Sequence, residues 1–134
     1  MAAEQLSDLQ LAFMRALWEG GEGTVADVQA RLEAEGRSLA PTTVSTVLRR
    51  LETQGWVTHR ERGRQFIYRS AVSRDEATGG MLDRLRQSLF GGDVPAMVSQ
   101  LLDGGNLRQR DLDAIRALID QKEQAREGQK GRGR

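Results

Sequence analysis

Thr43, Thr46 and Arg50 are spaced three and then four residues apart, with Thr42, Ser45 and Arg49 beside them. On a helix the first three share one face. Short hydroxyl side chains let a helix backbone come close to a partner. Arginines reach phosphate oxygens or the acceptor edge of guanine. The chemistry that this set supports is therefore non-covalent donation to nucleic-acid bases and backbone. An ordinary solvent-facing helix would favour Glu, Lys, Gln and Ala, because Ser and Thr are poorer helix formers. No acid interrupts this face until Glu52.

A second basic set follows at Arg60, Arg62 and Arg64, alternating around Gly63. On a hairpin these three are expected to share one side and to lie on a phosphate backbone or dip into a minor groove. From Arg37 to Arg69 seven arginines stand against two acids, Glu52 and Glu61, whereas the whole chain of 134 residues has a net charge of only +1. The distribution of charge, not its total, carries the electrostatic footprint.

Other chemistries find little support. There is no cysteine, and His59 is the only histidine. Disulfides, thiol catalysis and Cys-based zinc sites are thus excluded, and His59 has no second imidazole for a metal. It reads as a partly exposed residue within reach of a phosphate. The carboxylates fall at cap positions or beside basic residues on helix faces. The run Gly20-Gly21-Glu22-Gly23 lacks the Lys-Ser/Thr of a P-loop and follows a helix, so it reads as a turn. No enzyme activity, cofactor or metal ion is expected.

These residues need elements to position them. Ser7 with Gln10 forms a capping box ahead of Leu9, Phe13, Ala16 and Leu17 at helical spacing, and Gly20-Gly21 ends that helix. Thr24 caps a second helix with Val25, Val28 and Leu32 as its stripe, closed by Gly36. Pro41 suits the first turn of a third, whose apolar face is Val44, Val47, Leu48 and Leu51, and Gly55 stops it. Two β-prone runs, 56–61 and 65–69, flank Arg62-Gly63-Arg64 and read as a hairpin. Helix, helix, helix, hairpin is the order of a winged helix-turn-helix.

After Val72 the pattern is purely helical. Ser73 with Glu76 starts a helix whose apolar face is Met81, Leu82, Leu85, Leu89 and Phe90. Gly79-Gly80 inside it suggests a kink or close helix packing. Gly91-Gly92 breaks the chain. Asp93 and Pro95 open a short helix through Leu102 that carries Val98, Leu101 and Leu102. A last helix over about 107–125 turns Leu112, Ile115, Leu118 and Ile119 inward. These segments are too few to bury a core alone. Pairing with a second copy into a two-fold dimer satisfies them, the alternative being packing back on the first domain. The expected organisation is a winged-helix DNA-binding domain over 1–72, a helical dimerisation domain over 73–126 and a disordered basic tail over 127–134. The fold class is mainly α with a small β-hairpin wing. The N-terminus lacks a basic and apolar leader, and no apolar run approaches the roughly 18 residues of a membrane span. A cytoplasmic protein without membrane contact is expected.

In this order and spacing the pieces resemble the penicillinase-repressor family of bacterial repressors, the BlaI/MecI/CopY type. The resemblance covers roughly residues 6–123. It rests on Leu17-Trp18, on 24–28, on the run 42–51, on Gly55-Trp56-Val57, on 66–69, on 72–77 and on 89–92. It implies a homodimer on a palindromic double-stranded DNA operator, repressing an antibiotic- or stress-response operon. Groove contacts would fall on Thr43, Thr46 and Arg50, with Thr42, Ser45 and Arg49 as accessory contacts. In antibiotic-responsive members a regulatory protease cuts an Asn-Phe bond, and here the matching position is Gln100-Leu101. Copper-responsive members carry a cysteine pair that this chain lacks. Arg108 stands where similar chains have a Ser or Thr cap, with Asn106 as the candidate replacement. A winged helix used only for protein–protein assembly is the competing reading, and it would expose Leu or aromatics on the third helix instead of Thr and Arg.

Overall fold

The computed structural model describes residues 6–132. Its elements run α1 (Asp8–Gly20), α2 (Val25–Ala34), α3 (Pro41–Thr53), β1 (Val57–Arg62), β2 (Gln65–Ser70), α4 (Arg74–Phe90), α5 (Val94–Gly104) and α6 (Gln109–Arg132). The chain forms two compact units that divide at Leu85 and Arg86, inside α4.

In the first unit, local sequence signals set the helix starts. Ser7 and Gln10 exchange both capping-box hydrogen bonds at 3.1 Å. Thr24 does the same with Asp27 at 3.0 and 3.1 Å. α3 begins differently: Pro41 occupies its first turn and Ala40 supplies no side-chain cap. Phe13 and Met14 of α1, Val28 and Leu32 of α2, and Val44, Leu48 and Leu51 of α3 are fully buried together. Each contributes about 1.5–3 kcal/mol of apolar burial. Trp56, Val57 and Tyr68 close the core from the hairpin side.

β1 and β2 pair antiparallel from Val57↔Ser70 to Arg62↔Gln65, leaving a two-residue loop of Gly63 and Arg64. Gly63 has φ +63°. A two-residue hairpin loop needs that sign at its first position, which glycine adopts without penalty.

The first unit extends past the expected boundary at Val72. Ala77 is buried in its core, and Met81 packs half-buried against it. The Trp18 indole N–H donates to the Val72 carbonyl at 2.9 Å and to Ser70 Oγ at 3.0 Å, tying the start of α4 to α1. Met81, assigned to a dimer face from sequence, therefore packs on the core of its own chain. Five apolar residues on one helix stripe do not show which of them meets which neighbour. α4 stays helical through Gly79-Gly80, and a Cβ on either glycine would meet no atom within 4 Å. Neither glycine makes room for a neighbour among the described residues.

In the second unit, Asp93 Oδ1 caps α5 by accepting from the Ala96 N–H at 3.0 Å. At the start of α6 the Arg108 N–H donates to Asp111 Oδ2 at 3.0 Å. The side chain that satisfies this helix end is thus Asp111 and not Asn106. α6 continues through Arg132, so residues 127–132 are helical where a disordered tail was expected. Gln124, Ala125, Arg126, Glu127, Gln129 and Lys130 all favour helix, and Gly128 and Gly131 each cost only about 1 kcal/mol against alanine. Residues 133–134 of that tail lie outside the described residues.

Candidate nucleic-acid interface

α3 places the first candidate set. With Val44, Leu48 and Leu51 fully buried, the opposite face points to solvent. Thr42, Thr43, Thr46, Arg49 and Arg50 are exposed, and Ser45 is half-buried. Thr46 donates its hydroxyl proton to the Thr42 carbonyl at 2.8 Å, which leaves its oxygen as an acceptor. The turn before α3 is held by the Gln29 side-chain amide, which donates to the Leu39 carbonyl at 2.8 Å.

A cleft lies on each flank of α3. One of about 440 Å³ is bounded by Thr24, Pro41, Ser45, Arg64, Phe66 and Tyr68, between the starts of α2 and α3 and the hairpin. The other, about 390 Å³, is bounded by Ser7, Gln10, Thr46, Arg50 and Gln54. Gln10 Nε2 donates to Gln54 Oε1 at 3.0 Å and links α1 to the end of α3 there. The polar face of α3 is thus a ridge between two grooves.

The hairpin does not present its arginines on one side. Arg60 and Arg62 alternate on one face of β1, whereas Arg64 sits in the loop and lines the cleft against α3. Arg60 Nη2 lies 2.7 Å from Glu22 Oε1. Arg60, through its hydrogen bond and then its charge, holds the Glu22 carboxyl below its ordinary range, with Arg69 and Arg62 adding smaller contributions. Arg62 and Arg64 are exposed and form no ion pair among the described residues. The sequence shows alternation but not that Glu22, 38 positions away, competes for the first arginine.

His59 faces α3. Its Nδ1 is 2.6 Å from Glu52 Oε2, and its ring stacks on Phe66 with centroids 4.1 Å apart. Burial and then the Glu52 charge raise the pKa of the Tyr68 phenol, while Arg49 opposes them. His59 therefore bolts β1 to α3 and does not project towards a phosphate. Glu22, Glu52 and Gln54 were not anticipated as parts of the site. Their partners are distant in sequence, and no spacing rule announces them.

Among the described residues no group of three or more His, Cys, Asp and Glu could hold a metal ion. The arrangement offers hydroxyl and guanidinium donors on a convex ridge, a shape suited to a duplex groove.

The second unit exposes Leu89, Val98, Leu101, Leu102, Leu118 and Ile119, with Leu112 and Ile115 half-buried. Leu82 and Leu85, at the end of the first unit, are also exposed. No described helix is long and apolar enough to cross a membrane.

The penicillinase repressor family matches residues 6–121. The transcriptional regulator BlaI of Mycobacterium tuberculosis is 34% identical over 117 residues, spanning 86% of this chain and 83% of that protein. Among solved structures, the Bacillus licheniformis BlaI monomer in complex with the blaP half-operator aligns at 27% identity and a TM-score of 0.47. That alignment covers 55% of this chain and 89% of the other. The hsRosR-S4 complex aligns over 92% of this chain and 95% of its own, with a TM-score of 0.52 at 13% identity, a likeness of fold.

Proposed function

The chain belongs to the penicillinase repressor family, and from that premise we propose that it is a dimeric, sequence-specific DNA-binding repressor of transcription, acting in the cytoplasm and without catalytic activity. One observation carries the reading. The exposed face of α3 holds Thr42, Thr43, Thr46, Arg49 and Arg50 with no acid among them, beside a hairpin whose Arg62 and Arg64 are unpaired among the described residues. Thr43, Thr46 and Arg50 read base edges in the major groove. Thr42, Ser45 and Arg49 support them, and Arg62 and Arg64 lie on phosphates. Arg60 is withdrawn from this set by Glu22.

The operator is palindromic because two α3 helices related by a two-fold axis read two half-sites. Their centres lie about 10–10.5 base pairs apart or a multiple of that. The exposed apolar residues from Leu82 to Ile119 supply the contact between copies, Met81 excepted. A regulatory protease would meet Gln100 and Leu101 exposed on α5. It would have to open that helix before cutting the bond.

Selection of bound sequences from a random duplex pool by the purified protein tests the proposal. The expected outcome is one palindromic motif with half-sites at helical spacing. Recovery of unenriched DNA would refute sequence-specific repression.

A further inference from the structure

Arg31 of α2 is half-buried and reaches across to the end of α1. Its Nη1 donates to the Gly21 carbonyl at 2.7 Å and to the Ala16 carbonyl at 3.3 Å, and its Nη2 to the Glu22 carbonyl at 3.4 Å. α1 has no basic residue in its own last turn, so Arg31 supplies the cation that its C-terminal carbonyls favour.

Two glycines make space for this guanidinium. A Cβ on Gly20 would lie 2.5 Å from Arg31 Cζ and Nε. A Cβ on Gly23 would lie 2.9 Å from Asp27 Cβ and 3.3 Å from the Arg31 guanidinium nitrogens. Neither glycine has a positive φ. Their lack of a side chain, and not backbone freedom, is what the structure uses. The turn Gly20-Gly21-Glu22-Gly23 is therefore a socket for Arg31.

The socket also holds the hairpin. Gly23 and Tyr68 exchange two backbone hydrogen bonds, Gly23 N–H to Tyr68 O at 2.9 Å and Tyr68 N–H to Gly23 O at 2.8 Å. The next residue back, Glu22, binds Arg60 on β1. A side chain on α2 thus fixes a loop that grips both strands of the wing.

We propose that Arg31, seated between Gly20 and Gly23, is the positioning residue of the wing and sets where Arg62 and Arg64 meet the DNA backbone. This rests on the repressor reading above for its DNA consequence, but not for the seating itself.

The test uses the full-length chain, Arg31→Met and Gly20→Ala. The second variant keeps Arg31 but fills its seat, and it favours α1 by replacing glycine with alanine at the helix end. It therefore separates wing positioning from loss of helix stability, and it carries the test if Arg31→Met does not fold. The first readout, exchange of the Tyr68 amide hydrogen, needs no DNA. Its protection should fall about tenfold or more in each folded variant, while that of core amides in α3 holds. The second readout is the slope of log affinity for the selected duplex against log salt. Each lost phosphate contact removes about 0.9 from it, so misplacing Arg62 and Arg64 on both protomers of a dimer should remove up to roughly 3.6. Arg31→Met added to Arg62→Ala/Arg64→Ala should then change the slope no further. Wild-type Tyr68 protection in Gly20→Ala would overturn the proposal, as would lost protection with an unchanged slope. If the wild type showed no salt-dependent binding, the repressor reading would fail, and the exchange result alone would decide the seating of Arg31.

Discussion

Arg60 and Arg62 sit two positions apart on one face of one strand, yet only the loss of Arg62 should change how DNA binding responds to salt. Arg60 is held 2.7 Å from Glu22, whereas Arg62 and Arg64 form no ion pair among the described residues. With Arg50 on a base edge, the arginines among the proposed contact residues that are left for phosphates are Arg49, Arg62 and Arg64. A dimer then makes about six such contacts, and log affinity should fall against log salt with a slope of roughly −5. From 50 to 200 mM salt the wild type should lose about 10³-fold in affinity. Arg62→Ala/Arg64→Ala removes four contacts, leaves a slope of roughly −2, and should lose only about tenfold over the same range. Arg60→Ala should keep a slope near −5, because its charge is already neutralised by Glu22. Fluorescence anisotropy on a labelled operator, at several salt concentrations between these limits, measures all three. If Arg60→Ala flattened the slope as much as the Arg62/Arg64 pair, Glu22 would not hold Arg60 in the complex, and the assignment of wing contacts would be wrong.

Four further outcomes are expected. Arg50→Ala should weaken operator binding by about 1–3 kcal/mol more than binding to random duplex, and equal losses would move Arg50 to a phosphate. Thr24→Ala should cost about 1 kcal/mol in urea denaturation by removing half of a capping box. The Thr24 N–H, then its hydroxyl, hold the Asp27 carboxyl below its usual range. The stability linked to that shift is complete above the ordinary carboxylate pKa and lost as pH falls through the lowered value, so acid titration of Thr24→Ala should show a weaker loss there. Gly79→Ala/Gly80→Ala should raise stability by about 1–2 kcal/mol, because a Cβ at either position meets nothing; a fall would mean that another copy needs that space. A fragment ending at Leu85 should sediment as a folded monomer, and one ending at Val72 should melt lower for want of Ala77 and Met81.

The parts of this structure that were legible in the sequence are those written in short-range patterns. Ser7 with Gln10, Thr24, Pro41 and the hairpin around Gly63 each act within a few residues, and each element starts or turns where its signal stands. The exposed Thr/Arg face of α3 follows from the same periodicity that buries Val44, Leu48 and Leu51. Pairings set by tertiary placement were not legible. Nothing local to Arg60 points to Glu22, and nothing local to His59 points to Glu52. Gly20 and Gly23 look like turn glycines until Arg31 is seen between them. The end of α6 was misread because glycines and basic residues suggest disorder by composition, while the residues among them keep good helix propensity.

The two tryptophans of the chain occupy opposite chemical settings. Trp56 is buried, and its ring N–H has no hydrogen-bond partner among the described residues. The Trp18 N–H has two acceptors, and the Arg74 guanidinium lies 5.7 Å from its ring centre. The consequence is optical. An indole excited state is stabilised by polar partners, so Trp18 should emit at longer wavelength than Trp56 and be preferentially excited at the red edge of absorption. The protein thus contains a two-colour gauge, in which the red signal follows the junction of α1 with α4 and the blue signal follows the core beneath the hairpin.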